Sequence, residues 1–218
     1  MKQKRSQAQA MHETREAENH RLIGGEPCLD FANTVNGHTR SSRHEYLHDF
    51  RDLVLWSQHA TLVTPKQAKV LLKNATAQPS AAAHVYRTAI ALREVIFRVF
   101  AALAIGGEPD QGDLNQLSAA WQEAQRHACV APFQTGFSIT WDDDPTFKRI
   151  PRSMCISAIN LLTSEKIKQI RECAGEHCDW LFIDSSRNHL RRWCSMDECG
   201  NRAKMRRRQF RKKHIEPT

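Results

Sequence analysis

A chain of 218 residues with 40% apolar side chains and a formal charge of +8 has room for one well-buried core and a small appended module. No apolar run approaches the roughly 20 residues that span a bilayer, and the polar, mixed-charge stretch from Met1 to Asn19 lacks the apolar segment of a secretory signal, so the expected location is the cytoplasm, away from membranes. Seven cysteines, an odd number, suit a reducing compartment better than a disulfide framework.

In chain order, residues 1–20 carry no usable periodicity and read as a flexible arm. Gly24-Gly25, Pro27 and Asn36-Gly37 bracket Cys28-Leu29-Asp30-Phe31, which reads as a short apolar anchor between turns. From Tyr46 to Ala60, Leu47, Phe50, Leu53, Val54 and Leu55 recur near helical spacing and predict an amphipathic helix. Thr64-Pro65-Lys66-Gln67 is a helix start, with Thr64 as cap and Gln67 as its reciprocal partner, and the helix runs to about Ala77.

Pro79-Ser80 opens the longest predicted helix, which Gly106-Gly107 ends after Ile105. Tyr86, Ile90 and Phe97 share one face and Leu92, Ile96, Val99 and Leu103 widen it, leaving Arg87, Glu94 and Arg98 as a narrow polar seam. A helix apolar on most sides is expected at the centre of its domain. Another helix fits Asp113 to Ala128, and Phe137-Ser138-Ile139-Thr140-Trp141 alternates as a half-buried strand should. Asp142-Asp143-Asp144-Pro145 suits a solvated turn better than a hard-metal site, because neighbouring residues rarely aim their carboxylates at one point. Arg149 to Gln169 is the last helix before the cysteine-rich end.

Trp56, Trp121 and Trp141 read as core packing, with an effector pocket as the rival reading. His44 and His48, which flank Glu45, together with His59 and His84, read as surface or packing groups in preference to metal ligands. No nucleophile elbow, phosphate loop or dinucleotide fingerprint occurs, and no enzyme is expected.

Four cysteines near the C-terminus form two pairs of equal spacing. Cys173 and Cys178, and Cys194 and Cys199, each enclose four residues, with fifteen between the pairs. Soft thiolates so spaced predict one tetrahedral Zn2+ site, closed and structural. Cys28, Cys129 and Cys155 remain as small, buried, apolar groups. Between the pairs, Trp180-Leu181-Phe182-Ile183 reads as a strand and Asp184-Ser185-Ser186-Arg187-Asn188 as a turn. The segment from Arg171 to Arg202 is too short to bury a core of its own, so metal is expected to fold it.

The charge lies in the same place. From Arg187 to Thr218 there are eleven basic side chains against three acidic ones, which accounts for the whole +8. Such a concentration predicts a surface for a polyanion. From Arg202 to His214 nothing interrupts a helix, on which Arg202, Arg206, Gln209 and Lys213 share one face, while Ala203 and Phe210 are expected to pack. Arg207, Arg208, Arg211 and Lys212 spread around the other sides, as phosphate contacts would. The predicted nucleic-acid set is Arg187, Arg191, Arg192, Asn201, Arg202, Lys204, Arg206, Arg207, Gln209 and Lys213. DNA is favoured over RNA. The RNA rival rests on Trp180, Phe182 or Trp193 stacking on unpaired bases, and a third reading is a metal or redox sensor that loses its fold with its zinc.

The run Cys194-Ser195-Met196-Asp197-Glu198-Cys199-Gly200-Asn201-Arg202-Ala203-Lys204, preceded by Asp184-Ser185-Ser186-Arg187-Asn188 and Arg191-Arg192-Trp193, resembles the CGNR zinc-finger family. Gly24-Gly25-Glu26-Pro27-Cys28-Leu29-Asp30-Phe31-Ala32-Asn33-Thr34 resembles the opening motif of the ABATE-type domain that members of that family carry, with Cys28 where a small or apolar residue is expected. The resemblance spans about residues 22–213. It implies a mainly α fold: a helical domain with a small β element over 21–168, then a treble-clef, ribbon-like zinc finger over 169–214 that ends in the basic helix, with the four cysteines as ligands. It also implies a bacterial transcription regulator whose helical domain senses a small molecule, pairs with a second copy, or both.

Overall fold

In the computed structural model, which describes residues 17–38, 43–141 and 146–213, one long helix organises the core. Around it run α1 (Pro27–Ala32), a two-residue strand pair β1 (Val35–Asn36) and β2 (His44–Glu45), α2 (Phe50–His59), α3 (Pro65–Ala77), the long α4 (Pro79–Ala104) and α5 (Gln111–Gln125). A hairpin of β3 (Ala128–Phe133) and β4 (Gly136–Trp141) follows, then α6 (Arg149–Leu162) and a 3-10 turn (Glu165–Gln169). The chain closes with the antiparallel pair β5 (Ile170–Glu172) and β6 (Leu181–Ile183), a π turn (Met196–Gly200) and α7 (Asn201–Lys213). The fold is mainly α with short strands, as expected.

Local chemistry sets the helix starts. Thr64 Oγ1 accepts from Gln67 N at 3.3 Å while Gln67 Oε1 accepts from Thr64 N at 2.8 Å, the reciprocal box expected there. Asp49 accepts from Asp52 N at 2.9 Å at the head of α2, and Asp110 accepts from Gly112 N at 2.8 Å at the head of α5.

The central helix α4 packs on α1, α2, α5, α6, β5 and β6. Its buried polar member is Arg93, fully enclosed, which the reading of a narrow seam at Arg87, Glu94 and Arg98 passed over. Arg93 forks onto both oxygens of Glu45 at 2.6 Å each, reaches Glu94 at 2.8 Å and donates to Thr34 Oγ1 at 3.2 Å. An unpaired guanidinium at this depth would be strongly destabilising, so β2 must sit where it does to bring Glu45 in. Burial works against the Glu94 carboxylate, yet hydrogen bonds from His38, Arg43 and Arg93 outweigh it and hold the group well below the usual range. Arg98 forks onto Asp113 at 2.6 and 2.9 Å, tying α4 to α5.

Several expectations change. The second helix begins at Phe50 rather than Tyr46; Leu47 lies before it, buried, with its carbonyl accepting from Tyr86 Oη at 2.7 Å. The helix placed over Asp113 to Ala128 runs from Gln111 to Gln125, because Ala128 already pairs with Trp141 as the first residue of β3. The strand at Phe137–Trp141 forms, but Phe137 and Ile139 are not half-buried: they are 78% and 60% exposed, beside Val130 at 74%. The alternation sorts those side chains onto one face of a two-stranded ribbon, and no other described element covers that face. The last helix stops at Leu162, seven residues short of Gln169.

Of the expected arm, residues 1–16 lie outside the described residues; Ala17 is fully buried and His20 is 4% exposed. The Asp142–Pro145 turn also lies outside the described residues. Trp56 is fully buried against Phe31, a core group.

Candidate metal centre and basic helix

The sequence between the cysteine pairs folds as a hairpin, and this places the pairs. β5 ends one residue before Cys173, the knuckle Cys173–Cys178 turns the chain, and β6 returns antiparallel from Leu181. Cys173 N donates to Trp180 O at 2.9 Å and Cys178 N to Gly175 O at 3.1 Å, closing the knuckle. Gly175 sits in tight space: a Cβ there would lie 3.1 Å from Cys178 Cβ, 3.3 Å from Cys199 Sγ and 3.4 Å from Cys173 Sγ, so its neighbours would have to give by a few tenths of an ångström. The second pair runs into the π turn, with Cys194 before it and Cys199 within it, so Cys199 stands at the root of α7.

The four sulfurs converge. All lie within 4.8 Å of one another, with Cys178 to Cys194 at 3.6 Å and Cys194 to Cys199 at 3.7 Å. Zn–S bonds of about 2.3 Å give a tetrahedron with edges of about 3.8 Å, so the donor set fits one structural Zn2+. The cysteines are 2–5% exposed. Contact with Cys178 and Cys194 holds the Cys173 thiol down, while the same contacts push the Cys178 and Cys194 thiols up. Four sulfurs this close cannot all shed protons unless a cation shares their charge. Around them, Cys194 N donates to Cys173 Sγ at 3.3 Å and Arg202 Nη2 to Cys199 Sγ at 3.4 Å, which orient and neutralise the thiolates. Four protein ligands close the coordination shell, so the ion would supply a crosslink, with no position for water. His177, beside Cys178, is exposed and not among the clustered donors. Neither are His44, His48, His59 or His84; His59 bonds His20 O at 2.8 Å and His44 packs edge-on against Tyr46.

The finger is not an isolated stub folded by metal alone. Ile170, Leu181 and Ile183 belong to the same core as α1 and α4, whereas Phe182 and Trp180 join the cysteines in a second cluster with Ile23, Tyr46 and Trp193. Asn33 holds the backbone of Leu181 from both sides, Ile183 N donates to Gly24 O at 2.9 Å, Trp180 Nε1 to Val35 O at 3.1 Å and Gly37 N to Asp179 Oδ1 at 2.9 Å. The stretch from Gly24 to Gly37, read as an apolar anchor, is the seat of the finger. Burial of Trp180 and Phe182, 8% and 0% exposed, also removes them from stacking on bases.

The predicted nucleic-acid residues divide into two groups. Arg202 is bonded to Cys199, Arg206 meets Glu176 as an ion pair, and Asn201 Nδ2 donates to Asp197 O at 3.1 Å. Together with Gln209 they line a groove of about 700 Å3 between the knuckle and α7, whose other walls include Glu176, Asp197 and Glu198. Arg191 serves the fold: Nε bonds Trp193 O, Nη2 bonds Cys194 O, and the guanidinium stacks 4.4 Å over the Phe182 ring. Lys204, Arg207, Arg208, Arg187 and Arg192 are exposed as well, and they lie outside that groove. At about 100° per residue, Lys204, Arg207 and Arg208 fall within an arc of about 100° on the side of α7 opposite the groove. Lys213 is in the last turn of α7, its side chain outside the described residues. Phe210, expected to pack, is 65% exposed. Sequence reasoning missed Asn33, Asp179, Gly175 and Glu176. Of these only Gly175, in the middle of a cysteine knuckle, announced itself.

The described residues contain no helix long and apolar enough to cross a membrane. Among curated proteins, none matches the chain. Two family profiles do: the CGNR zinc finger over residues 169–212, and the ABATE family, described as "Putative stress-induced transcription regulator", over residues 25–165. With the cysteine tetrad inside the first match and the helical core inside the second, the chain belongs to the ABATE family and carries a CGNR zinc finger.

Proposed function

We propose that this protein is a DNA-binding transcription regulator that docks through the outer arc of α7, with the helical domain over 21–168 sensing a small molecule or pairing with a second copy, and the finger over 169–214 acting as the reader. The observation that carries this reading is the opposition of charge across α7. One side faces a groove in which Glu176, Asp197 and Glu198 offset the charge of Arg202 and Arg206, while the other exposes Lys204, Arg207 and Arg208 on a helix rooted at Cys199. Exposed Arg187 and Arg192 extend the cationic surface onto the finger. The site chemistry supports binding in preference to catalysis, because four thiolates fill the metal's coordination sphere. Duplex DNA is favoured over RNA because Trp180 and Phe182 are inside the finger core.

The test is fluorescence anisotropy of the zinc-loaded protein with labelled duplex DNA and with structured RNA of equal length, from about 50 to 200 mM salt. Five or six phosphate contacts predict a slope of log K against log salt near -5. A flat salt dependence, or tighter binding to the RNA at every salt, overturns the assignment.

A further inference from the structure

The hairpin of β3 and β4 stands apart from the helices. Among the described elements, each of these strands packs substantially only on the other, and a lone two-stranded hairpin is marginally stable in water. Residues directly opposite each other across the pair share a face, so the register puts Val130 with Ile139 and Pro132 with Phe137 on one side, and Cys129, Ala131 and Phe133 on the other. Cys129, expected to be buried, is exposed. Of the eleven large apolar side chains exposed among the described residues, four stand on this hairpin: Val130, Phe133, Phe137 and Ile139. Single exposed apolar groups need no explanation, but a contiguous set does.

Charge indicates what covers it. From Ala128 to Trp141 there is no Asp, Glu, Lys, Arg or His, in a chain of which 26% is charged. A face shaped for a charged partner carries the opposite sign. In a two-fold interface each side chain near the axis meets its own equivalent, so any charge there would face its like, and a face with none meets itself without that cost. Pro132 removes a donor from the free edge of β3, which disfavours strand addition along that edge and leaves the face. Val130, Pro132, Phe137 and Ile139 offer on the order of 400 Å2 per copy, so two copies bury about 800 Å2 and somewhat more with the rim, the scale of a weak and reversible dimer.

We propose that two copies of this chain pair through this face of the ribbon, Val130 and Ile139 of one copy against the same residues of the other, with Pro132 and Phe137 flanking them. This interface rests on the pairing role given above to the helical domain and specifies the surface that serves it. It lies outside the finger and makes no use of α7.

The experiment is sedimentation velocity of the full-length, zinc-loaded protein without nucleic acid, over concentrations that bracket an expected monomer–dimer dissociation constant on the order of 10 μM, up to about 200 μM. Phe137→Glu and Ile139→Glu, both at exposed positions, are expected to weaken pairing by at least about tenfold, with unfolding temperatures within a few degrees of the parent. An equimolar mixture of Ile139→Glu and Ile139→Lys is expected to recover a dimer that neither variant forms alone, because the two faces meet at that position. A parent that stays monomeric throughout, which gives the face to a different partner, overturns the interface. So does association that survives Phe137→Glu and Ile139→Glu, as strand addition along β4 would, or open-ended assembly in place of a dimer, or a mixture that fails to recover. Titration of the same protein with duplex DNA keeps the two readings apart: a monomer that binds DNA overturns the interface alone, and a dimer that ignores DNA overturns the DNA reading alone.

Discussion

The side chain of Asn33 behaves as a strand neighbour of Leu181. Its Nδ2 donates to Leu181 O at 2.9 Å and its Oδ1 accepts from Leu181 N at 2.8 Å, so both backbone groups of a fully buried residue are satisfied by one amide. Asn33→Ala leaves both unpaired in the interior and is expected to cost about 2–4 kcal/mol. Asn33→Asp keeps the acceptor and loses the donor, and should fall between the parent and Asn33→Ala or below it, depending on the charge it buries. The check is the urea midpoint of the zinc-loaded protein at constant m-value. An Asn33→Ala midpoint equal to that of the parent refutes the clamp.

Zinc removal should reach beyond the finger. Because Ile170, Leu181 and Ile183 belong to the main core, chelation is expected to lower the unfolding temperature of the whole chain, with no separate melting of the finger. Loss of a ligand held at a thousandfold above its dissociation constant removes about 4 kcal/mol, or about 10 °C for a chain of this size. Metal analysis should give one zinc per chain, and Cys199→Ser should reproduce the chelated state. A helical transition unmoved by chelation contradicts the shared core.

The two sides of α7 should separate in salt titrations. Each of Lys204→Ala, Arg207→Ala and Arg208→Ala is expected to reduce the salt slope of DNA binding by about 0.9. Arg206→Ala, which removes a residue paired with Glu176, should leave the slope nearly unchanged. The reverse pattern would mean that the groove side meets the phosphates.

Acid should weaken the fold through His20. Burial pushes its imidazole down to about 4, and its Nε2 is bonded to Asn33 O at 2.9 Å. The unfolded chain takes up a proton near 6.5 while the folded chain refuses it until about 4, so stability present above pH 6.5 is lost as the pH falls between those values. A shift of that size corresponds to about 3 kcal/mol. Asp30 acts in the opposite sense: burial pushes it up to about 6, so its contribution is greatest in acid and is lost as pH rises through that value. Unfolding free energies of the parent and of His20→Gln at pH 7 and pH 5 isolate the first effect. The variant should lose markedly less stability on acidification, and parallel profiles would contradict the assignment.

What the sequence announced was local. The capping box at Thr64 and Gln67, the long helix from Pro79 and the cysteine pairs are short-range patterns, and each is present. Two things escaped. The β3–β4 ribbon was half seen because alternation at Phe137 and Ile139 reveals a strand without saying whether anything covers it, and Ala128, the first residue of β3, passed as a helix end. The Asn33–Leu181 clamp and the Arg93–Glu45 fork join residues far apart in the chain through polar side chains, which carry no periodicity. On α7 the angular spacing was correct, but spacing alone does not say which side a knuckle will occupy, and Glu176 meets Arg206 on that side.

The strand β6 is enclosed on both of its faces, with Leu181 and Ile183 given to the helices and Phe182 to the cysteines. A finger mounted in this way moves with the helical core. Its angle is dictated by the rest of the molecule, so a chimaera that borrows the cysteine segment from a relative will assemble only if the donor's Gly24-to-Gly37 seat travels with it.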